Sequence, residues 1–377
     1  MPLRAIAEVN VAAIERNVAR LAAELSPGSR LCAVVKADGY GHGAVPAARA
    51  ALAGGARSLA VATADEAGKL RRAGLDEPPI LVMGALSTQE LRVAMQARAE
   101  LVAWDLGFVT EVLRSAVDER PIRLHVKLDS GMGRLGTRDP TQALAVAQAV
   151  LEQAPRLELA GAMTHFATAD DDLEFVGRQL EAFLPFVAAM RELGGGELTA
   201  HAANSAATLR APATHLDMVR CGIAIYGADP MHEDPARRGL EPALALRSYV
   251  AAVKAAGPGD SAGYGRRFIA EGDTYLATLP IGYGDGFSRQ LSNNCDVLIG
   301  ARRYPVVGTV SMDNITVDLG PRPDVTVGER ATLIGVDGEE RQTAEDLARR
   351  LGTINYEVLC GISARVPRSY HRDGAAI

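Results

Sequence analysis

The sequence predicts an α/β protein in which an N-terminal (β/α)8 TIM barrel is followed by a mostly antiparallel β domain. Within the first ~230 residues, short apolar runs alternate with amphipathic stretches eight times, which is typical of a closed parallel barrel. After about residue 240 the runs instead alternate apolar and polar residues around Gly, Pro and Asp turns, which is an antiparallel signature. A length of 377 residues suits two domains. An open doubly wound sheet is the alternative that the alternation also allows.

The eight predicted barrel strands are apolar runs of strand length. They cover residues 31–36, 58–62, 79–84, 99–104, 122–129, 157–165, 197–203 and 216–226. The second domain is predicted from the runs DTYLATLPIGY, CDVLIGARRYPVVGTVSMDNITVDL and ERATLIGV, with one helix at 343–352. The stretch 231–242 resembles a linker. We therefore predict a barrel domain over 1–238 and a β domain over 239–377.

Composition excludes several classes of function. A net charge of -6 argues against a nucleic-acid partner. The sequence has no apolar run of about 18 residues, and Glu8, Asn10 and Glu15 interrupt the N-terminus where a signal peptide would be apolar. We therefore expect a cytoplasmic protein with no membrane partner. The four cysteines and seven histidines show no metal-ligand spacing, so we expect free thiols and no metal.

Unusual residues recur where the predicted strands end, which is where barrel enzymes place their chemistry. They are Lys36, Lys127, Arg134, His165, Asn204, Ser205, Arg220 and Gly222. Loops after the seventh and eighth barrel strands commonly hold phosphate, so Ser205 and Gly222 predict an anion site there. The alternative for Ser205 is an ordinary helix N-cap.

Lys36 is one of only four lysines and ends an apolar strand. Partial burial would lower the pKa of its amine, as a lysine that forms a Schiff base requires. The alternative is a lysine that extends its charged end into solvent.

Nine blocks in order resemble the alanine racemase family and span nearly the whole chain. They are VVKADGYGHG, GMGRLG, MTHFATAD, ANSAATL, RCGIAIYG, AGYGRRF, PIGYGDGF, VSMDNITVDL and NYEVLCGISARVPR. The resemblance implies an enzyme that interconverts L- and D-alanine with pyridoxal 5′-phosphate held as a Schiff base on Lys36. It implies that Lys36 is the base for the D-isomer and that Tyr264, from the other subunit of a homodimer, is the base for the L-isomer.

The resemblance also implies roles for further residues. Arg220 would meet the pyridine nitrogen beside His165, and Lys127 would be carbamylated and orient Arg134. The cofactor would also contact Tyr40, Asn204, Ser205, Gly222, Ile223 and Tyr356. The substrate carboxylate would meet Arg134 and the Met312 backbone, and Tyr283 and Asp313 would line the substrate channel.

Taken singly, some of these residues have plainer interpretations. Arg134 could be a solvated loop charge, and Tyr264 and Tyr283 could be half-buried strand tyrosines. Asp313 could cap a turn, and Lys127 could pair with Asp129.

The sequence argues against two rival functions. A non-catalytic cofactor-binding barrel would lack the β domain. A decarboxylase of the same fold would carry a pocket for a cationic substrate and a cysteine-bearing C-terminal site. The sequence departs from the family's common pattern at Gly284 and Ser311, which could alter the substrate channel.

Overall fold

The structure is a computed structural model that describes residues 3–116, 119–194 and 198–377. The chain forms two compact units. One comprises Ile14–Ile225, and the other comprises the residues up to Ala13 together with Tyr226–Ile377. The boundary near the N-terminus falls inside helix α1 (Val11–Ala23), which directly follows strand β1 (Ile6–Asn10).

The first unit is a closed barrel of eight parallel strands. The strands are β2 (Arg30–Val34), β3 (Ser58–Val61), β4 (Ile80–Val82), β5 (Glu100–Ala103), β6 (Ile122–Lys127), β7 (Leu157–Met163), β8 (Thr199–His201) and β9 (Met218–Cys221). Pairing of Cys32 with Arg220 joins β2 to β9 and closes the barrel. The barrel prediction is therefore confirmed, and the open sheet is wrong. Residue 197, where the seventh predicted strand begins, lies outside the described residues.

Helical segments follow the barrel strands. They are α2 (Lys36–Tyr40), α3 (Ala44–Ala53), α4 (Ala64–Arg72), α5 (Thr88–Gln96), α6 (Leu106–Ser115), α7 (Pro140–Leu151), α8 (Leu173–Gly194) and α9 (Ser205–Arg210). Local capping explains several starts: Thr63 and Glu66 form a reciprocal capping box at α4, and Asp105 accepts from the Phe108 amide at α6. Barrel strands such as β4 are buried along their whole length, which is why they are continuously apolar.

The second unit is built on an 11-stranded sheet in the order β11-β14-β17-β16-β15-β18-β10-β1-β20-β21, with β19 paired to β18. Its further strands are β10 (Leu244–Tyr249), β11 (Ala252–Ala256), β14 (Thr274–Leu279), β15 (Asp296–Ile299), β16 (Arg302–Val307), β17 (Ile315–Gly320), β18 (Arg330–Asp337), β19 (Glu340–Gln342), β20 (Arg368–Arg372) and β21 (Ala375–Ala376). A separate hairpin joins β12 (Ser261–Ala262) to β13 (Phe268–Ile269).

The sheet is antiparallel except where β1 and β20 run parallel, so the predicted β domain is confirmed. Two helices accompany it, α10 (Ala344–Leu351) and α11 (Asn355–Cys360). The predicted helix at 343–352 corresponds to α10, with Thr343 as its N-cap.

Residue boundaries of the two units differ from the predicted division. The N-terminal residues, which we predicted within a barrel domain of 1–238, contribute β1 to the second unit because β1 pairs with β10 and β20. Residues 226–238 also belong to the second unit. The sequence contains no local signal for this, because the pairing partners lie more than 200 residues apart.

Across the described residues, no helix has the length and apolarity needed to cross a bilayer.

Candidate active site

The carboxyl end of the barrel gathers most of the predicted site residues. Each follows a different strand: Lys36 after β2, Arg134 after β6, His165 after β7, Ser205 after β8 and Gly222 after β9. Since parallel strands end on the same face of a barrel, these residues share one face.

Lys36 is half-buried and begins a left-handed turn. Positive φ angles follow at Ala37 (51°), Asp38 (51°), Gly39 (65°) and Tyr40 (53°). A left-handed conformation costs an ordinary residue about 1–2 kcal/mol. Three residues other than glycine within one turn would not adopt it unless their surroundings compensated the cost, and such strain is typical of functional sites.

Helix α4 holds this turn. Glu66 Oε1 accepts a hydrogen bond from the Ala37 amide at 2.6 Å, and Lys69 Nζ lies 2.5 Å from Asp38 Oδ1. Asp38 also accepts from the Ala44 amide at 3.1 Å. Lys69 is therefore committed to an ion pair, which removes it as a candidate for covalent chemistry. Lys254 lies exposed in the second unit, so Lys36 and Lys127 are the lysines of the barrel mouth.

The loops after β8 and β9 form a compact donor cradle. Ser205 Oγ accepts from the amides of Gly222 at 2.9 Å and Ala224 at 3.4 Å. Asn204, not Ser205, is the N-cap of α9, since its Oδ1 accepts from the Ala207 amide at 3.0 Å. The N-cap alternative for Ser205 is therefore wrong, and its hydroxyl proton stays available for an anion.

Tyr40 packs against this cradle at Gly222. A Cβ at Gly222 would lie 2.4 Å from Tyr40 Oη, so the tyrosine hydroxyl sits directly against the glycine backbone. Ile223, next in the chain, is fully buried and starts a short 3-10 turn. A glycine at position 222 is thus needed for the close packing of Tyr40, while the approach of its amide to a phosphate stays a prediction.

Arg220 is buried, and both of its terminal nitrogens meet neutral acceptors. Nη1 lies 2.6 Å from His201 Nδ1, and Nη2 donates to the Thr164 carbonyl at 2.8 Å and contacts His165 Nδ1 at 3.0 Å. Within the described ranges, no protein acceptor meets its Nε–H. Burial lowers the pKa of Arg220 to about 10, so the guanidinium keeps its charge at neutral pH.

His165 faces a strongly positive environment. Burial, and then the charges of Arg220, Arg134, Lys127 and Lys36, hold the pKa of His165 well below its usual value. A neutral imidazole can accept the Arg220 hydrogen bond through Nδ1.

Lys127 is 2% exposed. Burial, with Arg220 and Arg134 nearby, lowers the pKa of Lys127 to about 8. Asp129 is occupied elsewhere, since it binds Arg138 at 3.2 Å and accepts from the amides of Gly131 and Gly133. In the described part of the chain Lys127 forms no ion pair, so pairing with Asp129 is wrong.

The second unit carries the remaining predicted residues on adjoining loops. Tyr264 is 73% exposed, Tyr283 42% and Met312 52%. Thr309 Oγ1 donates to the Tyr264 carbonyl at 2.7 Å, and the Tyr283 amide donates to the Ser311 carbonyl at 3.0 Å. Neither tyrosine is the half-buried strand residue of the plainer interpretation. Both lie on 3-10 turns and project large side chains into solvent.

Asp313 does more than cap a turn. Arg365 Nη2 donates to Asp313 Oδ1 at 2.7 Å and Arg365 Nε to Asp285 Oδ1 at 2.8 Å, so one arginine ties two loop carboxylates together. Tyr356 lies on α11, and its ring makes an edge contact with His232 at 6.1 Å between centroids.

Sequence reasoning missed the layer beneath Arg220. His201 Nε2 lies 2.9 Å from His125 Nδ1, and His125 Nε2 lies 2.9 Å from Glu100 Oε2. The signal was present, because His125 and His201 are polar residues inside apolar strands of a predicted barrel. A search for sequence spacing alone could not find it, since the two residues come from alternate barrel strands. Among the described residues, no group of three His, Cys, Asp or Glu side chains could hold a metal ion.

A closed barrel with a half-buried lysine, a buried arginine and an anion cradle at its mouth defines a two-domain barrel enzyme. The family model described as "Alanine racemase, N-terminal domain" matches residues 9–230, and that described as "Alanine racemase, C-terminal domain" matches residues 243–370. The chain belongs to the alanine racemase family, whose members are isomerases.

Relatives and solved structures agree over nearly the full length. An alanine racemase from Nostoc sp. is 41% identical over 97% of this chain and 95% of its own length. One from Geobacillus stearothermophilus is also 41% identical, over 97% and 93%. The crystal structure of alanine racemase from D-cycloserine producing Streptomyces lavendulae has a TM-score of 0.93 at 38% identity, covering 98% of both chains. That from Bacillus anthracis with bound L-Ala-P has a TM-score of 0.92 at 38% identity, covering 100% and 97%.

Proposed function

We propose that the protein is an alanine racemase that uses pyridoxal 5′-phosphate and two side-chain bases, Lys36 and the Tyr264 of the partner subunit. The observation that carries the proposal is that Lys36 and Tyr40 share one short turn and that Tyr40 packs against Gly222, whose amide binds Ser205. A lysine amine and a phosphate site within one barrel mouth match the two ends of this cofactor.

The residues present fit the cofactor on three observations. Gly222 lacks the side chain that would fill the space beside Tyr40. The Ser205 hydroxyl accepts from two amides and so directs its own proton elsewhere. Arg220 holds a buried positive charge, and no acceptor among the described residues meets its Nε–H. Lys36 would hold the cofactor covalently, and Arg220 would meet its ring nitrogen. Ile223 and Asn204 would complete the surroundings.

The chemistry that the cofactor supplies when bound is electron withdrawal from Cα of the amino acid, which makes the Cα proton acidic enough for a side-chain base. Arg220 keeps its protons at neutral pH and acts only as a donor, so a ring nitrogen beside it stays unprotonated. Arg220 would in this way favour return of a proton to Cα over other outcomes.

Racemisation needs one base on each face of Cα. Lys36 would exchange the proton on the D face, and the hydroxyl of Tyr264 would exchange it on the L face. Arg134 and the Met312 backbone would receive the substrate carboxylate, with the Arg fork as a bidentate partner. Tyr283 and Asp313 would limit the channel through which a small amino acid enters.

Exposure of Tyr264 supports a shared site. Tyr264, Tyr283 and Met312 leave large side chains in solvent on adjoining loops of one unit, and such patches mark interaction surfaces. A homodimer would cover them and bring Tyr264 to the barrel of the partner subunit. Lys127, as a carbamate, would carry negative charge between Arg220 and Arg134, the two cations that lower its pKa.

The proposal is tested by assaying wild-type protein and Lys36→Ala with L-alanine and D-alanine. Wild type is expected to racemise both and to show near-visible absorbance after incubation with pyridoxal phosphate. Lys36→Ala should lose both properties, whereas Lys254→Ala, at an exposed site in the second unit, should keep them. Retained racemisation in Lys36→Ala would reject the assignment. Turnover on a panel of L-amino acids would define the substrate range.

A further inference from the structure

A chain of hydrogen bonds runs through the inside of the barrel, from Arg220 near its carboxyl end to Glu100 at the first residue of β5. It passes through His201 and His125, with separations of 2.6, 2.9 and 2.9 Å. Both histidines are buried, and Glu100 is 15% exposed at its side chain. We call this chain the barrel relay.

The hydrogen positions in the barrel relay are fixed by its first member. A guanidinium has only donors, so His201 Nδ1 must accept from Arg220. His201 then carries its proton on Nε2 and donates to His125 Nδ1. His125 in turn carries its proton on Nε2 and donates to Glu100. A proton on His201 Nδ1 would place two donors against each other, so both rings stay neutral and every bond points toward Glu100.

Glu100 is a suitable end point for this direction. Burial raises the pKa of Glu100, but the hydrogen bonds from His125 and Arg123 and the charge of Arg123 outweigh burial and hold that pKa below its usual value. Arg123 Nε donates to Glu100 Oε1 at 2.7 Å, and Arg123 also pairs with Glu158. A cavity of about 90 Å³ at this end of the barrel is lined by Glu100, Arg123 and His125, so water can reach the anion.

Arg220 has no carboxylate within hydrogen-bond reach among the described residues, although its charge is buried. The barrel relay therefore connects the buried cation to an anion at the opposite end of the barrel. Successive donors polarise one another, which makes His201 Nδ1 a stronger acceptor for Arg220. If the relay broke, His201 could adopt its other tautomer and would present a proton to the guanidinium.

We propose that Glu100 and His125 are positioning residues for the reaction: through His201 they fix the tautomer that holds Arg220 in place as a hydrogen-bond donor. This rests on the proposed function, in which Arg220 meets the ring nitrogen of the cofactor.

Matched substitutions separate this role from packing. Glutamine at either position can keep the direction of the relay, because its carbonyl accepts and its amide donates. Leucine at either position cannot. Glu100→Gln and His125→Gln are therefore expected to stay within about threefold of wild-type kcat, while Glu100→Leu and His125→Leu should lose roughly tenfold in kcat, a loss typical of partners that orient an active group. KM for alanine should stay unchanged, because the relay does not touch substrate.

The control is Glu158→Gln, which removes the other carboxylate of Arg123 without entering the relay. It should match wild type in every measurement. A leucine variant that fails to fold is recognised by its thermal melt. In that case the kcat values of Glu100→Gln and His125→Gln, together with the nitrogen-15 spectrum of His201 in wild type, still test the proposed role of the relay.

The direct readout is the tautomer of His201, measured by nitrogen-15 NMR of histidine-labelled full-length protein with and without pyridoxal phosphate. Wild type and the glutamine variants should show the Nε2–H form of His201, and a folded leucine variant should show loss of that single form. A wild-type spectrum with His201 protonated on Nδ1, or leucine variants with wild-type tautomers and wild-type kcat, would overturn the proposal. The spectrum does not depend on racemisation, so failure of the proposed function would be recognised separately.

Discussion

Tyr40 and Gly222 share a space that only one side chain can occupy, since a Cβ on residue 222 would lie 2.4 Å from Tyr40 Oη. Tyr40 is the last residue of the left-handed turn that follows Lys36. In the proposed cofactor site, Lys36 at the covalent end and Tyr40 at the phosphate end therefore lie on one short segment. Gly222, on the loop after β9, packs against that segment.

Gly222→Ala tests this packing. Overpacking costs about 1–3 kcal/mol, so pyridoxal phosphate affinity is expected to fall roughly tenfold as Tyr40 is displaced. Affinity is measured by titrating the apoprotein with the cofactor. Gly177→Ala is the control, because Gly177 lies inside α8 with no atom within 4 Å of an added Cβ. Equal affinity in both variants would mean that Gly222 is not part of the phosphate site.

Lys127 is expected to form a carbamate. The neutral amine attacks carbon dioxide and releases a proton, so a pKa of about 8 allows reaction where an ordinary lysine would stay charged. At fixed dissolved carbon dioxide, the carbamate fraction should rise as pH rises through about 8. Carbon-13 NMR in labelled bicarbonate measures it. Lys127→Ala should lose the signal and Lys254→Ala should keep it; the reverse pattern would exclude Lys127.

Asp285 is expected to stabilise the loop that carries Tyr283. Its carboxylate is buried and binds Arg4 at 2.6 Å and Arg365 at 2.8 Å. Burial raises the pKa of Asp285, but hydrogen bonds from Arg365 and Arg4 outweigh it and lower the pKa below its usual value. The stabilisation is therefore present above the unfolded pKa of about 3.9 and is lost as pH falls through the lower folded value.

Asp285→Asn should reduce the free energy of unfolding by about 2 kcal/mol at neutral pH, the scale of hydrogen bonds to a charged group. Thermal melts of the two proteins should converge as the pH is lowered below about 4. Asp324→Asn, in an exposed pair with Arg302, should cost less than about 1 kcal/mol. A constant difference between wild type and Asp285→Asn at all pH values would contradict the assigned ionisation.

Mixed dimers test the shared site. Lys36→Ala and Tyr264→Phe subunits should each be inactive alone, but heterodimers should regain activity because one site receives both native residues. Differently tagged subunits purified together allow the measurement, and co-purified wild-type pairs give the reference. Verified heterodimers without activity would place Tyr264 in the site of its own subunit.

Local patterns predicted the barrel well. All eight strands overlap the predicted apolar runs, because full burial in a parallel sheet leaves a direct mark on composition. Contacts between residues that are distant in the sequence leave no comparable pattern in the composition. β1 joins the second unit through partners beyond residue 240, and the left-handed turn depends on Glu66 and Lys69 from α4. The relay was missed for the same reason, since it forms only when the barrel closes and brings His125 to His201.

Solvent-deuterium exchange at Cα tests the two-base account most directly, because it reports each face of the substrate separately. In Tyr264→Phe, exchange into L-alanine should fall by orders of magnitude, while Lys36 should continue to exchange the Cα proton of D-alanine. Cofactor absorbance should stay at the wild-type level, since Lys36 is intact. Exchange into L-alanine at the wild-type rate in this variant would contradict the role of Tyr264 and, with it, the proposal that two opposed bases carry out the reaction.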